Sequence, residues 1–111
     1  MARILIREDA LQLELLLATV VERSGHEAVR LGSRAEAGIE GDLLLLAPTA
    51  AGALEWVAEL RRGDSGVPVV CVGPDPDDPH ADAIGPAAIV PKPFRVLELS
   101  RAIEKSLHER S

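Results

Sequence analysis

The sequence predicts a doubly wound α/β domain built on a parallel sheet of five strands. Short apolar runs alternate along the chain with segments whose apolar residues recur every three or four positions, as they do in helices. Two of the runs, Leu43–Leu46 and residues 67–72, are apolar without alternation. Such runs are typical of central parallel strands that helices cover on both faces. With 111 residues, the chain is expected to form a single domain over residues 1–111.

The first half of the chain supplies the first two strands and the first two helices. Residues 4–6 form the first strand, and a helical stripe of apolar residues follows at Leu13, Leu16, Leu17 and Val20. Asp9 is placed to cap this helix, and Gly25 is placed to end it. Residues 26–31, bounded by glycines, suit the second strand. Ser33 and Glu36 then form a Ser-x-x-Glu capping box, which predicts a short second helix that ends at Gly41.

The second half continues the alternation. Apolar residues at helical spacing predict a third helix that ends at Gly63, with Trp56 at the edge of its apolar face: Ala53, Leu54, Val57 and Leu60. Residues 75–86 contain three prolines, so the fourth helix has room for about two turns at most. Residues 87–90 form the last strand. The terminal helix carries the stripe Val96, Leu99, Ile103 and Leu107.

Composition excludes several classes of function. The net charge of −6 argues against binding to nucleic acid or to an anionic membrane surface, because both need clustered basic residues. The single cysteine, Cys71, lies within an apolar run and is interpreted as a small buried hydrophobe. The three histidines have no metal-ligand spacing and are predicted to lie at the surface: His26, His80 and His108. No apolar stretch is long enough to span a bilayer, so we expect a cytoplasmic protein.

The candidate functional residues follow the predicted strands. In a doubly wound parallel sheet, ligands bind at the carboxyl ends of the strands. Glu8 and Asp9 follow the first strand, residues 47–49 follow the third, residues 73–75 follow the fourth and Lys92 follows the fifth. We expect these residues to share one crevice.

Five sequence segments, in this order, resemble the receiver domain of bacterial two-component response regulators, the CheY-like family. They are ILIRED at residues 4–9, ERSGHE at 22–27, DLLLL at 42–46, VPVV at 67–70 and KPF at 92–94. The resemblance spans nearly the whole chain. It implies a flavodoxin-like strand order of 2-1-3-4-5, here with shortened second and fourth helices, and a role in signal transduction.

The resemblance also implies a site, from which this sequence departs. In the family an aspartate at the end of the third strand accepts a phosphoryl group, an acidic pair holds Mg²⁺ and a lysine contacts the phosphoryl group. Glu8 and Asp9 match the acidic pair and Lys92 matches the lysine, but the nucleophile's position holds Ala47. The family's two switch positions hold Gly73 and Ile89. We therefore expect a degenerate receiver that is not phosphorylated in the ordinary way, catalyses no reaction and needs no cofactor.

Two interpretations of the acidic pair remain open. Glu8 and Asp9 could still hold Mg²⁺, although this ion prefers an octahedral set of oxygens and one carboxylate is missing. We favour a structural ion cluster in which Lys92 neutralises the pair. Arg7 stands where the family has an apolar residue; it either satisfies the nearby carboxylates or extends to solvent.

Three functional hypotheses follow. The favoured one is a phosphorylation-independent module that binds another signalling protein, with no nucleic acid or membrane as partner. The second is a phosphorelay receiver that uses a displaced carboxylate such as Asp75. The third is a sensor that binds a small ligand or a metal ion in the crevice.

Overall fold

The computed structural model describes residues 1–73, 83–91 and 94–110. Its strands are β1 (Arg3–Arg7), β2 (Glu27–Arg30), β3 (Leu43–Leu46), β4 (Val69–Val72) and β5 (Ala88–Val90). Its helices are α1 (Leu11–Arg23), α2 (Ala53–Gly63) and α3 (Val96–Arg110). The strands pair in parallel in the order β2-β1-β3-β4-β5. The predicted fold class and strand order are confirmed.

Alternate residues of the central strands point into two separate cores, one on each face of the sheet. Ile4 and Ile6 of β1 pack with residues of α1 and α3. Leu5, between them, packs on the opposite face with residues of α2. Every residue of β3 and β4 is buried, which explains why their sequences are apolar without alternation.

The prediction of a short second helix that begins near Ser33 and ends at Gly41 is wrong. Residues 31–42 contain turns and bends but no helix, although Ser33 and Glu36 have the spacing of a capping box. A helix of barely two turns is unstable without an apolar face to pack, and this segment contains glycines at 32, 38 and 41. Gly38 also adopts a positive φ of 82°, which lies outside helical conformation.

Helix α2 corresponds to the predicted third helix, but it is rotated relative to the apolar face predicted for that helix. Trp56, expected at the edge, is 1% exposed, whereas Leu54, expected inside, is 46% exposed. The buried stripe runs through Ala53, Trp56, Val57 and Leu60. These positions follow the spacing of one helix face, from which Leu54 lies about 100° away. The Trp56 Nε1–H donates a hydrogen bond of 2.7 Å to the Gly32 carbonyl oxygen, so α2 anchors the segment that lacks a helix.

Helix α1 begins without the predicted cap. Its N-cap residue is Ala10, and no side chain caps the helix. The prediction that Asp9 does so is wrong, because the Asp9 carboxylate accepts hydrogen bonds from Arg7 and from the Ala51 backbone instead. The predicted end of the helix is confirmed: Gly25 follows it with a φ of 88° and donates its N–H to the Glu22 carbonyl oxygen.

The prediction that the histidines lie at the surface holds for one of the two described. His108 is exposed. The His26 side chain is 11% exposed: its Nδ1 accepts a hydrogen bond from the Ala2 backbone N–H, and its Nε2 lies 2.6 Å from Glu104 Oε1. His26 thus links the residue that precedes β1 to α3. His80 lies outside the described residues.

Most of the predicted fourth helix also lies outside the described residues. Of its segment, Ala83 and Ile84 are helical, and Ile84 is buried in the core on the α2 side. Arg61 of α2 donates a hydrogen bond to the Gly85 carbonyl oxygen at 3.2 Å. In the described parts of the chain, no helix combines the length and the apolar character that crossing a bilayer requires.

Candidate functional site

The topology brings the carboxyl ends of β1, β3 and β4 together at the centre of the sheet. Arg7 of β1 is paired with Leu46 of β3, and Leu46 is paired with Cys71 of β4. The residues that follow these strands therefore lie at one edge, as predicted. They include Glu8 and Asp9, Ala47 and Gly73. Lys92 and Asp75 lie outside the described residues, so their contribution to the crevice stays a prediction.

Arg7 is a buried cation in this crevice. The residue is 4% exposed although it carries a permanent positive charge. Its Nε donates to the Ala51 carbonyl oxygen at 2.8 Å, and its Nη1 donates to the Glu8 carbonyl oxygen at 3.1 Å. Its Nη2 forms an ion pair with Asp9 Oδ1. A buried guanidinium needs such partners because desolvation is costly. Of the two possibilities left open by the sequence, Arg7 satisfies a carboxylate.

Asp9 is held by two donors. Its Oδ1 accepts from Arg7, and its Oδ2 accepts from the Ala51 backbone N–H at 3.0 Å. The pKa of this carboxyl lies below its ordinary value, chiefly because of the hydrogen bond from Ala51 and secondarily because of Arg7, which together outweigh desolvation. Asp9 and Arg7 thus join the loop after β1 to the loop after β3.

Glu8 differs from its neighbour in burial and in partners. The residue is 7% exposed. Its Oε1 accepts a hydrogen bond of 3.2 Å from the Ala10 backbone N–H. Its Oε2 is buried and has no hydrogen-bond partner among the residues that the structure describes. A buried carboxylate oxygen ordinarily has a donor, so Glu8 differs in this respect from Asp9, both of whose oxygens accept hydrogen bonds.

Ala47 is the first residue after β3 and lies in the crevice. It is buried, and its backbone N–H donates a hydrogen bond of 3.0 Å to the Arg7 carbonyl oxygen, which extends the pairing of β1 and β3 by one step. Its carbonyl oxygen accepts from the Ala50 N–H, so the chain turns directly toward α2. The Ala47 side chain is a methyl group, which offers neither a nucleophile nor a metal ligand.

The described residues do not fit a divalent cation. Mg²⁺ requires about six oxygen ligands in near-octahedral geometry. Both oxygens of Asp9 already accept hydrogen bonds, Ala47 supplies no ligand, and the buried Arg7 guanidinium would repel a second cation. Over the described ranges, no cluster of three or more histidine, cysteine or acidic side chains could hold a metal. The interpretation of Glu8 and Asp9 as a magnesium pair therefore gains no support.

Sequence reasoning missed two parts of this site. The role of Arg7 was left open, although a charged residue at the end of an apolar strand was a signal that it would need partners. The backbone of Ala51, which serves both Arg7 and Asp9, left no signal at all. A backbone N–H and carbonyl are common to almost every residue, and their direction depends on the turn that presents them.

A second concave region lies at the opposite, amino end of the strands. This cavity of about 690 Å³ is lined by charged and apolar side chains, among them Arg3, Asp42, Glu59, Leu60 and Arg110. Its three arginines are interspersed with four carboxylates, so charges of both signs line it. The cavity does not coincide with the crevice that the sensor hypothesis requires.

Cys71 is a small buried residue, as predicted. Cys71 is fully buried in β4. Burial raises the pKa of its thiol to about 11. Because the thiolate is the reactive form, this thiol has little nucleophilic character at neutral pH.

The lowered pKa of Asp9 predicts an effect of pH on stability. A carboxyl with a lowered folded-state pKa stabilises the fold above its unfolded pKa of about 3.9, and this contribution disappears as the pH falls through the folded pKa. Asp9→Asn should therefore lower the free energy of unfolding at neutral pH and weaken its dependence on pH in the acid range. Urea unfolding of both proteins across that range would measure the difference. Carbon-detected NMR titration of the Asp9 carboxyl provides a direct check, and a value at or above about 3.9 would contradict the prediction.

Comparison with known proteins gives a structural match without a sequence match. No family model and no curated protein matches the chain. Among solved structures, the receiver domain of a modulated diguanylate cyclase from Desulfovibrio desulfuricans superposes with a TM-score of 0.79 at 20% identity, covering 99% of this chain and 96% of that one. The receiver domain of the sensor histidine kinase PA1611 from Pseudomonas aeruginosa, solved with a magnesium ion in its active-site cleft, has a TM-score of 0.76 at 15% identity, covering 96% of this chain and 98% of that one.

A third similar structure is much longer than this chain. NtrX from Brucella abortus, solved in complex with ATP, has a TM-score of 0.79 at 20% identity, and the match covers 98% of this chain but 27% of NtrX. The chain therefore spans about a quarter of NtrX. Identities of this size show the fold alone. The strand order, the two-faced core and these superpositions together show that the chain has the fold of response-regulator receiver domains.

Proposed function

We propose that this chain is a receiver-like signalling domain that works without phosphorylation, catalyses no reaction and acts by binding another protein. The observation that carries the proposal is Ala47 at the carboxyl end of β3, where the resemblance places the nucleophile. Formation of an acyl phosphate requires a carboxylate oxygen that attacks phosphorus. A methyl group cannot do so.

The two switch positions support the same proposal. Gly73 adopts a φ of 96°, and its N–H donates to the Val90 carbonyl oxygen at 2.8 Å. Side chains rarely tolerate this conformation, so a glycine suits the backbone here. Ile89 packs against the core on the α2 side. The resemblance places a hydroxyl side chain at the position of Gly73 and an aromatic side chain at the position of Ile89, and this chain has neither.

Exposed apolar side chains support a role in protein binding. Leu11 and Leu15, one turn apart on α1, are 59% and 44% exposed. On α1 and α3, three further residues are similarly exposed, of which Leu16 and Val96 had been assigned to buried stripes: Leu16, Val96 and Leu97. In α1 the buried face instead includes Glu14, which pairs with Arg30 of β2, so the helix is rotated away from the expected stripe. Helices α1 and α3 pack on the same face of the sheet and begin at its carboxyl end.

The proposal predicts that phosphodonors leave the domain unchanged. Amide NMR spectra of the purified chain would be recorded during titration with Mg²⁺ and then with beryllofluoride or acetyl phosphate. We expect no saturable shifts at Glu8, Asp9, Ala47 or Gly73, because no carboxylate is available at position 47. The receiver domain of PA1611, whose crystal structure contains Mg²⁺, serves as the positive control under identical conditions.

Saturable shifts on addition of a phosphodonor would overturn phosphorylation independence. If they centre on residues 73–75, Asp75 acts as a displaced acceptor and the phosphorelay hypothesis replaces the proposal. Mass spectrometry after acetyl phosphate treatment distinguishes a covalent phosphoryl adduct from simple anion binding. Saturable shifts with Mg²⁺ alone would instead favour a metal sensor.

A further inference from the structure

Arg7 brings to the crevice a feature that the loss of the nucleophile does not explain. Replacing an aspartate by Ala47 removes a carboxylate from the crevice and, by itself, does not call for an additional buried cation. Arg7 lies on the last position of β1, beside Leu46, and its buried guanidinium pairs with one carboxylate of the acidic pair, that of Asp9. Its remaining hydrogen bonds go to two backbone carbonyl oxygens, those of Glu8 and Ala51.

These contacts resemble the work of a bound metal ion in two respects. A cation in this crevice would neutralise the acidic pair and would draw carbonyl oxygens from the loop after β3 toward it. The guanidinium of Arg7 neutralises one member of the pair, Asp9, and holds the Ala51 carbonyl oxygen at 2.8 Å. Ala51 returns a hydrogen bond of 3.0 Å from its N–H to Asp9, which closes the arrangement.

We propose that Arg7 takes the place of the divalent cation and blocks its binding independently of Ala47. The chain thus has two separate obstacles to Mg²⁺: a missing ligand at position 47 and a resident positive charge. Restoring the ligand alone should fail, because an aspartate at position 47 would meet the Arg7 guanidinium. This inference rests on the proposed function, in that it concerns the same inactive crevice.

The test compares Mg²⁺ binding in variants of the whole chain. A47D restores the carboxylate, and R7L/A47D also removes the resident charge. We expect R7L/A47D to bind Mg²⁺ at least about tenfold more tightly than A47D, because even in a water-like dielectric a single charge about 6 Å from a dication has an effect of this size. Amide NMR titration gives the affinity. Because a ligand that binds the folded state raises the melting temperature, Mg²⁺ should also stabilise R7L/A47D more than A47D.

A matched control tests whether Mg²⁺ binding depends on where the removed positive charge lies or only on the loss of one positive charge. Arg3 lies at the other end of β1 and is exposed, where it pairs with Glu27. The variant R3L/A47D loses the same charge from the same strand and should bind Mg²⁺ no better than A47D. If R7L/A47D does not fold by circular dichroism, R7Q/A47D removes the charge but keeps a hydrogen-bonding side chain, and the same comparison applies.

The outcomes distinguish this inference from the proposed function. If A47D binds Mg²⁺ as tightly as the folded double variant does, Arg7 is no obstacle and the inference is overturned. It is also overturned if neither the folded R7L/A47D nor R7Q/A47D binds Mg²⁺ more tightly than A47D. Phosphorylation independence is judged separately, on the response of the unaltered chain to phosphodonors.

Discussion

Trp56→Ala is expected to lower the free energy of unfolding by about 3–5 kcal/mol, the usual range for truncation of a large buried aromatic residue. Trp56 is the single tryptophan of the chain and is buried in the core on the α2 side. Its truncation leaves a cavity and removes the hydrogen bond to the Gly32 carbonyl oxygen. Urea unfolding followed by far-ultraviolet circular dichroism measures the change, since the variant lacks the tryptophan that fluorescence would need.

Two control variants divide this effect into its parts. Trp56→Phe keeps an aromatic ring but loses the N–H donor of a part-buried hydrogen bond, so it should cost about 0.5–1.5 kcal/mol, the usual net contribution of one hydrogen bond. Leu54→Ala alters an exposed position on the same helix and should change stability by about 0.5 kcal/mol or less. A cost for Trp56→Ala as small as that of Leu54→Ala would contradict the burial of Trp56.

The second large effect is expected for Gly52→Ala. Gly52 precedes α2 with a φ of 77°, and a Cβ at this position would overlap the Ser33 backbone carbonyl. The left-handed conformation alone costs a non-glycine residue roughly 1–2 kcal/mol. Because the overlap is with backbone, the loop or the 31–42 segment must also shift, and we expect a total loss of about 3 kcal/mol or more.

Gly38→Ala is the matched control for this prediction. Gly38 has a similar φ of 82°, but an added Cβ would meet no atom within 4 Å. It should therefore cost roughly the 1–2 kcal/mol of the backbone conformation and no more. Thermal unfolding of the two variants side by side gives the difference. Equal losses would show that the contact between Gly52 and Ser33 contributes nothing.

Trp56 and Gly52 both contact the segment of residues 31–42. Trp56 binds the carbonyl oxygen of Gly32, and Gly52 packs against that of Ser33. Together they hold the segment that was predicted to be a helix against the start of α2. The same start of α2 follows the Ala51 backbone that engages Arg7 and Asp9. We therefore expect Gly52→Ala also to disturb the crevice, with faster amide exchange at Ala51.

The fold could be predicted from local patterns to a large extent. The run of leucines in β3 matches its observed limits, and the helical spacing around Leu99 and Ile103 marks a face that is buried in α3. The second helix could not be ruled out in this way, because its capping box is a local signal that is outweighed by the lack of an apolar face to pack. Strand β4 begins at Val69 rather than at residue 67, next to Pro68, which has no N–H to donate to a neighbouring strand.

The sequence by itself determined the alternation of strands and helices, the convergence of Glu8, Asp9 and Ala47 at one edge of the sheet, and the apolar side chain at position 47. Each of these depends on residue identity and short-range periodicity, which can be read without coordinates. The tertiary structure alone decided that Arg7 neutralises Asp9. That outcome depends on Ala51, whose backbone meets Arg7 from 44 residues away in the chain. A buried charge is stable only where the fold supplies its partners, and the sequence does not state which distant backbone groups those will be.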